Sequence, residues 1–148
     1  MADWLATGRL KKLNSNAIGN TFGEAVFESP SSGLKYVAEG DEGHRVAHVL
    51  NHTVDNPTRG GLHGVFDEGD PLATIDEAWL KRAEQYRVTR PDNRIQYDIP
   101  MGRDVGYASG IDGEALGRPN ANHVTVVVES DGVTLVTAFP IRAVDAKY

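Results

Sequence analysis

Five histidines occur in this chain of 148 residues, and four of them (His44, His48, His52 and His63) fall within twenty positions. Histidine is the side chain that both takes and gives a proton near neutrality. His44, His48 and His52 repeat at a spacing of four, which on a helix sets them along one face. That spacing first suggests a metal. The zinc-helix signature His-Glu-x-x-His is absent, however: Val49 stands where the glutamate would be, and the chain has no cysteine. Neither a metal site nor a cofactor is expected.

His63 has a different setting, Gly60-Gly61-Leu62-His63-Gly64, which reads as a flexible loop too rich in glycine to pack a core histidine. A histidine on an amphipathic helix, His48, and one on a loop, His63, suit a phosphodiester placed between them. One ring removes the proton of a ribose 2′-OH and the other protonates the leaving 5′-oxygen. A cation such as Arg103 would then stabilise the charge that builds on the phosphate oxygens.

The elements that must hold these groups are mostly legible. Asn16 can cap a helix whose apolar residues Ile18, Phe22, Ala25 and Val26 lie on one side, ended by the cluster Ser29-Pro30-Ser31-Ser32-Gly33. A short extended piece follows at Leu34–Ala38, and Val46, Val49, Leu50 and Thr53 give a second helix over about 43–54. A third helix begins at Asp70-Pro71 or at Thr74, where Thr74-x-x-Glu77 reads as a capping box. Beyond Pro91 the period changes to two. Ile95–Ile99 alternates as a strand, and Val105–Tyr107 is a short candidate. His123–Ser130 and Val133–Phe139 form a hairpin about Asp131-Gly132. Five glycines between Gly102 and Gly117 predict a long mobile loop. Helices first and antiparallel strands last define an α+β class: N-terminal helices followed by a small antiparallel sheet ending in a β-hairpin. Residues 1–42 read as an N-terminal helical segment and 43–148 as the domain that carries the chemistry, together one compact unit.

Charge narrows the partners. Lys and Arg total 15 against 21 Asp and Glu, a net charge of −6, which counts against a general charge-driven nucleic-acid binder. The distribution is uneven. Residues 41–77 hold eight acids against Arg45 and Arg59, whereas 78–108 hold six basic residues (Lys81, Arg82, Arg87, Arg90, Arg94 and Arg103) against four acids. Tyr86, Tyr97 and Tyr107 interleave that basic stretch, so Arg94 and Tyr107 become candidate contacts to phosphate and base of a single strand. No apolar run approaches the roughly 18 residues of a membrane span, and the first residues do not read as a signal peptide.

His48-Val49, Gly61-Leu62-His63, Gly102-Arg103 and the strand ending Val136-Thr137-Ala138-Phe139-Pro140 together resemble the bacterial EndoU-type ribonuclease toxins, the C-terminal domains of contact-dependent inhibition and other polymorphic toxin systems. The resemblance spans roughly residues 43–142. It implies an RNase/EndoU-like fold and metal-independent cleavage of RNA leaving a 2′,3′-cyclic phosphate. His48 and His63 would be the acid–base pair, with Arg103 in the place of the family's usual third residue, a lysine. Thr137 matches the hydroxyl residue of the last strand, and Phe139 stands where a base-stacking tyrosine is common. It further implies secretion or cell-surface delivery into the cytoplasm of a target cell, and a cognate immunity protein. An acidic enzyme with one local basic stretch suits a narrow RNA substrate such as an exposed tRNA loop. The competing expectation is a non-catalytic binding module, immunity- or adaptor-like, that uses the acidic face of 41–77 to meet a basic partner.

Overall fold

The computed structural model describes residues 11–13, 26–37, 52, 54–67 and 70–148. The architecture is α+β, with few helices and several antiparallel sheets. A first sheet joins β1 (Lys11–Leu13), β2 (Val26–Glu28) and β3 (Lys35–Val37) in that order. The chain then enters β4 (His63–Phe66) and helix α1 (Pro71–Lys81). Strands β5 (Arg87–Val88) and β6 (Ile95–Pro100) follow, then β7 (Gly106–Ser109), the short helix α2 (Gly110–Ala115) and β8 (Asn120–Ala121). The hairpin β9 (His123–Val128) and β10 (Leu135–Ile141) completes the order. β10, β9, β6 and β5 make a four-stranded antiparallel sheet, and β4, β7 and β8 make a three-stranded one. No helix among the described residues is long and apolar enough to cross a membrane.

Helix α1 starts where its cap allows. Asp70 accepts the Ala73 N–H at 3.0 Å and Pro71, which has no N–H to satisfy, occupies the first turn. The cap is therefore Asp70, and Thr74 is a buried residue inside the helix. Leu72, Ile75, Ala78 and Trp79 fall on one stripe and pack over β6 and β9, with Trp79 edge-on to Tyr97 at 5.9 Å between ring centres.

Phe27, Leu34 and Tyr36 enter this same core. The buried Asp76 carboxylate accepts hydrogen bonds from Ser29 and Ser32, tying the β2–β3 turn to α1. The described part of the N-terminal segment therefore shares the core of the rest, and it is three strands and a turn: Val26, expected to end a helix, opens β2. The remainder of that helix, and the helix expected over 43–54 apart from His52 and Val54, lie outside the described residues.

The glycine-rich stretch 102–117 is not one long loop. It supplies β7 and α2, and three of its glycines (Gly106, Gly110 and Gly113) answer close approaches by backbone. A Cβ on Gly106 would lie 2.1 Å from the Val65 carbonyl oxygen and 2.8 Å from Pro140 Cγ. A Cβ on Gly64 in β4 would lie 2.2 Å from the Pro140 carbonyl oxygen. Bare backbone at these two positions lets the three-stranded sheet close against β10, the outer strand of the four-stranded sheet. That seam is where the candidate site forms.

Candidate active site

β4 brings His63 to the seam, and its placement reverses one expectation. His63 is not in a mobile loop: it is the first residue of β4 and only 2% exposed. The glycines beside it permit that burial, since Gly64 gives Pro140 room to approach. Beside it lies His52, 7% exposed, with the two rings stacked at 4.9 Å and 23°. The Phe139 ring lies tilted against His52, at 5.3 Å between ring centres.

Backbone carbonyls fix which ring nitrogen carries a proton. A carbonyl oxygen only accepts, so the nitrogen facing it must donate. His52 donates through Nδ1 to the Gly64 carbonyl at 2.8 Å, which leaves the lone pair of the neutral ring on Nε2. His63 donates through Nε2 to the Val54 carbonyl at 3.0 Å, which leaves its lone pair on Nδ1. The Arg59 guanidinium faces that Nδ1 at 3.4 Å. In their neutral forms the two rings are thus opposite tautomers, with the Arg59 guanidinium beside one of them.

Two cavities open here. One, of about 380 Å³, is lined by His52, Arg59, Leu62, Gly64, Val136, Thr137 and Phe139. The second, also about 380 Å³, is lined by Val54, Asp55, Asn56, Arg59 and His63. Arg59 is common to both. Thr137 and Phe139 are two apart on β10, so the alternation of a strand sends both toward the first cavity. A register shift between Leu135 and Thr137 lets Val136 line it too.

The structure therefore gathers His63, Thr137 and Phe139. His48 lies outside the described residues. Arg103 is not at the seam: its guanidinium makes a two-pronged ion pair with Glu77 of α1, at 2.6 and 2.9 Å. That pair, with Lys81 also on Glu77, holds the Glu77 carboxyl below its ordinary range. Sequence distance hid the partner, which is 26 residues away. Arg94 is also elsewhere. It pairs with Glu129 at 2.9 Å, and with Arg87 and Arg90 it lines a groove at the β5 margin of the sheet, away from β10. Tyr107 lies under the Arg118 guanidinium, 4.8 Å from the ring centre, so its face is already occupied.

Two residues were missed. His52 enters the sequence reading only as one of three histidines on one helix face, and Arg59 only as one of two cations in the acidic stretch 41–77. The sole sequence signal for Arg59 is its place four residues before His63, inside an otherwise acidic stretch. Among the described residues no group of three or more His, Cys, Asp or Glu side chains is gathered to hold a metal ion. Comparison of the chain with known protein families, curated proteins and solved structures finds no match.

Proposed function

We propose that the chain is an endoribonuclease that cleaves RNA by attack of the ribose 2′-OH on its own phosphodiester, needing no metal. The supporting observation is the stacked pair His52 and His63, with opposite tautomers, opening on two cavities that share Arg59. Arg59 lines both the cavity of His52 and the cavity of His63, so a phosphate it held would lie where the two openings meet. His52 Nε2 takes the 2′-OH proton as that oxygen attacks phosphorus. His63, protonated on Nδ1 once Arg59 has turned from the ring to the phosphate, gives that proton to the departing 5′-oxygen. It is then left as the Nε2–H tautomer that the Val54 carbonyl holds. Arg59 stabilises the charge on the non-bridging oxygens, the part first assigned to Arg103. Phe139 offers a ring face for a base, and Thr137 a hydroxyl beside it. The resemblance to EndoU-type toxins adds delivery into the cytoplasm of a rival cell, a tRNA loop as substrate and a neutralising immunity protein.

The test is incubation of the purified chain with total RNA in excess EDTA, scored for fragments ending in a 2′,3′-cyclic phosphate. Wild type cuts; His52→Gln and His63→Gln each lose about 10²–10⁴ in rate while keeping the wild-type circular dichroism spectrum. At position 63 the glutamine amide still donates to the Val54 carbonyl, in the place of Nε2. No cleavage by wild type, or cleavage that needs an added divalent ion, refutes the proposal.

A further inference from the structure

Two groups that face the nitrogens of the His63 ring, the Val54 carbonyl and the Arg59 guanidinium, belong to segment 54–61, which has no helix or strand of its own. Something else must hold that segment still. Two sets of contacts do so, and all of them come from β7, α2 and the turn that follows.

The first set is side-chain chemistry on Asp55. One oxygen of its carboxylate accepts a short hydrogen bond from the Ser109 hydroxyl, at the end of β7. The other meets the Arg118 guanidinium at 2.8 Å. Ser109 is fully buried. Arg118 has φ of +56°, a conformation that side chains with a Cβ rarely adopt. Its backbone N–H is held by the Gly113 carbonyl at 2.8 Å, and its guanidinium rests on the Tyr107 ring and near Glu114. The Ser109 hydroxyl first, and then the Arg118 charge, hold the Asp55 carboxyl below its ordinary range.

The second set is backbone. The Ile111 N–H donates to the Arg59 carbonyl at 2.8 Å and the Asp112 N–H to the Gly61 carbonyl at 3.0 Å. These are first-turn donors of α2 that lack partners within the helix. Gly110, at φ of +80°, makes the approach possible, since a Cβ there would lie 2.4 Å from the Gly61 carbonyl oxygen.

We infer that Ser109 and Arg118 are positioning residues which, through Asp55, latch segment 54–61 against α2 and so fix the tautomer of His63 and the reach of Arg59. Neither residue lines the two cavities. The role of the latch in cleavage rests on the ribonuclease function proposed above; its role in holding the ring does not.

The experiment is therefore read in two ways on Ser109→Ala, Arg118→Gln and Arg118→Lys. Nitrogen-15 NMR of the imidazole reports the His63 tautomer, and amide hydrogen exchange reports Ile111 and Asp112; neither needs RNA. Cleavage kinetics give kcat and KM separately. Ser109→Ala and Arg118→Gln are expected to turn the single His63 tautomer into a mixture and to speed exchange at 111 and 112 by at least about tenfold. They should lower kcat by about 10- to 100-fold with a smaller change in KM, because a misplaced group loses rate before it loses binding. Arg118→Lys, which keeps a cation for Asp55, should recover part of each effect. An unmoved tautomer and unchanged exchange in both Ser109→Ala and Arg118→Gln overturn the latch, whatever the kinetics. Should buried Ser109→Ala fail to fold, exposed Arg118→Gln decides alone. A wild type that cuts nothing, with the NMR and exchange changes present in the variants, overturns the ribonuclease and leaves the latch standing.

Discussion

Substituting Gly64 by alanine should damage the site without touching any side chain in it. The new Cβ would lie 2.2 Å from the Pro140 carbonyl oxygen and 3.1 Å from Pro140 Cδ. Carbon and oxygen rest at about 3.3–3.6 Å, so β4 and β10 must part by about 1 Å. Neither strand can yield alone. β4 is paired to β7 along its whole length, and β10 is paired to β9 from Leu135 to Ile141. Overpacking of this kind costs about 1–3 kcal/mol, which at this chain length lowers Tm by roughly 2–12 °C. The catalytic loss should be larger than the stability loss suggests. The Gly64 carbonyl holds His52 Nδ1, while Thr137 and Phe139 ride on β10, so the parting moves the two walls of one cavity in opposite directions. A displacement near 1 Å costs on the order of 10²-fold in rate. Gly60→Ala is the control, because a Cβ there meets no atom within 4 Å. Thermal melts and cleavage rates of the two variants decide the matter. A Gly64→Ala protein as stable and as active as wild type would refute the closed seam and the site built on it.

Other outcomes follow from the same contacts. Arg59→Ala should lose about 10²–10³ in rate, as for removal of a group that stabilises transition-state charge. Arg103→Ala should leave cleavage unchanged and cost no more than about 1 kcal/mol in a urea melt, because it breaks an exposed ion pair to Glu77; equal losses in the two variants would return Arg103 to the site. His123 should make stability fall in acid. Burial pushes its pKa down, partly offset by the Asp98 charge, while Nδ1 donates to Asn122 and Nε2 accepts from the Tyr148 hydroxyl. The unfolded chain then binds the proton more readily, so stability is full above about pH 6.5 and is lost as pH falls toward the lowered value. Melts of wild type and His123→Gln across that window should converge in acid; parallel curves would remove His123 as the cause.

Much of the fold could be read from short-range signals. Asp70-Pro71 and the stripe through Trp79 mark α1 because a cap and a period of 3.6 are both local properties. Asp131-Gly132 between two β-branched runs marks the hairpin for the same reason, and with it the shared face of Thr137 and Phe139. What escaped was set by distant partners. Gly64 looks like a loop residue because the Pro140 backbone that requires it lies 76 positions further along the chain. Val26 looks helical until β1 and β3 are present to pair with β2. Arg103 looks available until Glu77 is seen beside it. His63 was recognised by residue type, but its partner in the described seam is His52, and no spacing rule separates a helix-face histidine from one that a strand will cover.

The charges of 78–108 lead to a last expectation, about salt. Read along the chain, this stretch is the obvious RNA track, yet its cations are engaged within the protein. Lys81 and Arg103 meet Glu77, Arg87 meets Glu84, Arg90 meets Asp92 and Arg94 meets Glu129. Arg82 lies 4.0 Å over the Trp79 ring. Arg59, by contrast, comes from the acidic stretch 41–77 and turns its guanidinium toward a neutral ring nitrogen between two cavities. An RNA held chiefly there contacts one or two phosphates. Each phosphate neutralised on a single strand contributes about −0.7 to the slope of log K against log salt, so the slope should lie near −0.7 to −1.4. Engagement of all six cations of 78–108 would give about −4. Binding of the inactive His52→Gln variant to a fluorescent RNA, titrated over a range of salt, separates the two. A steep slope would move RNA onto the Arg87–Arg94 groove, and the seam would then be a site without its substrate.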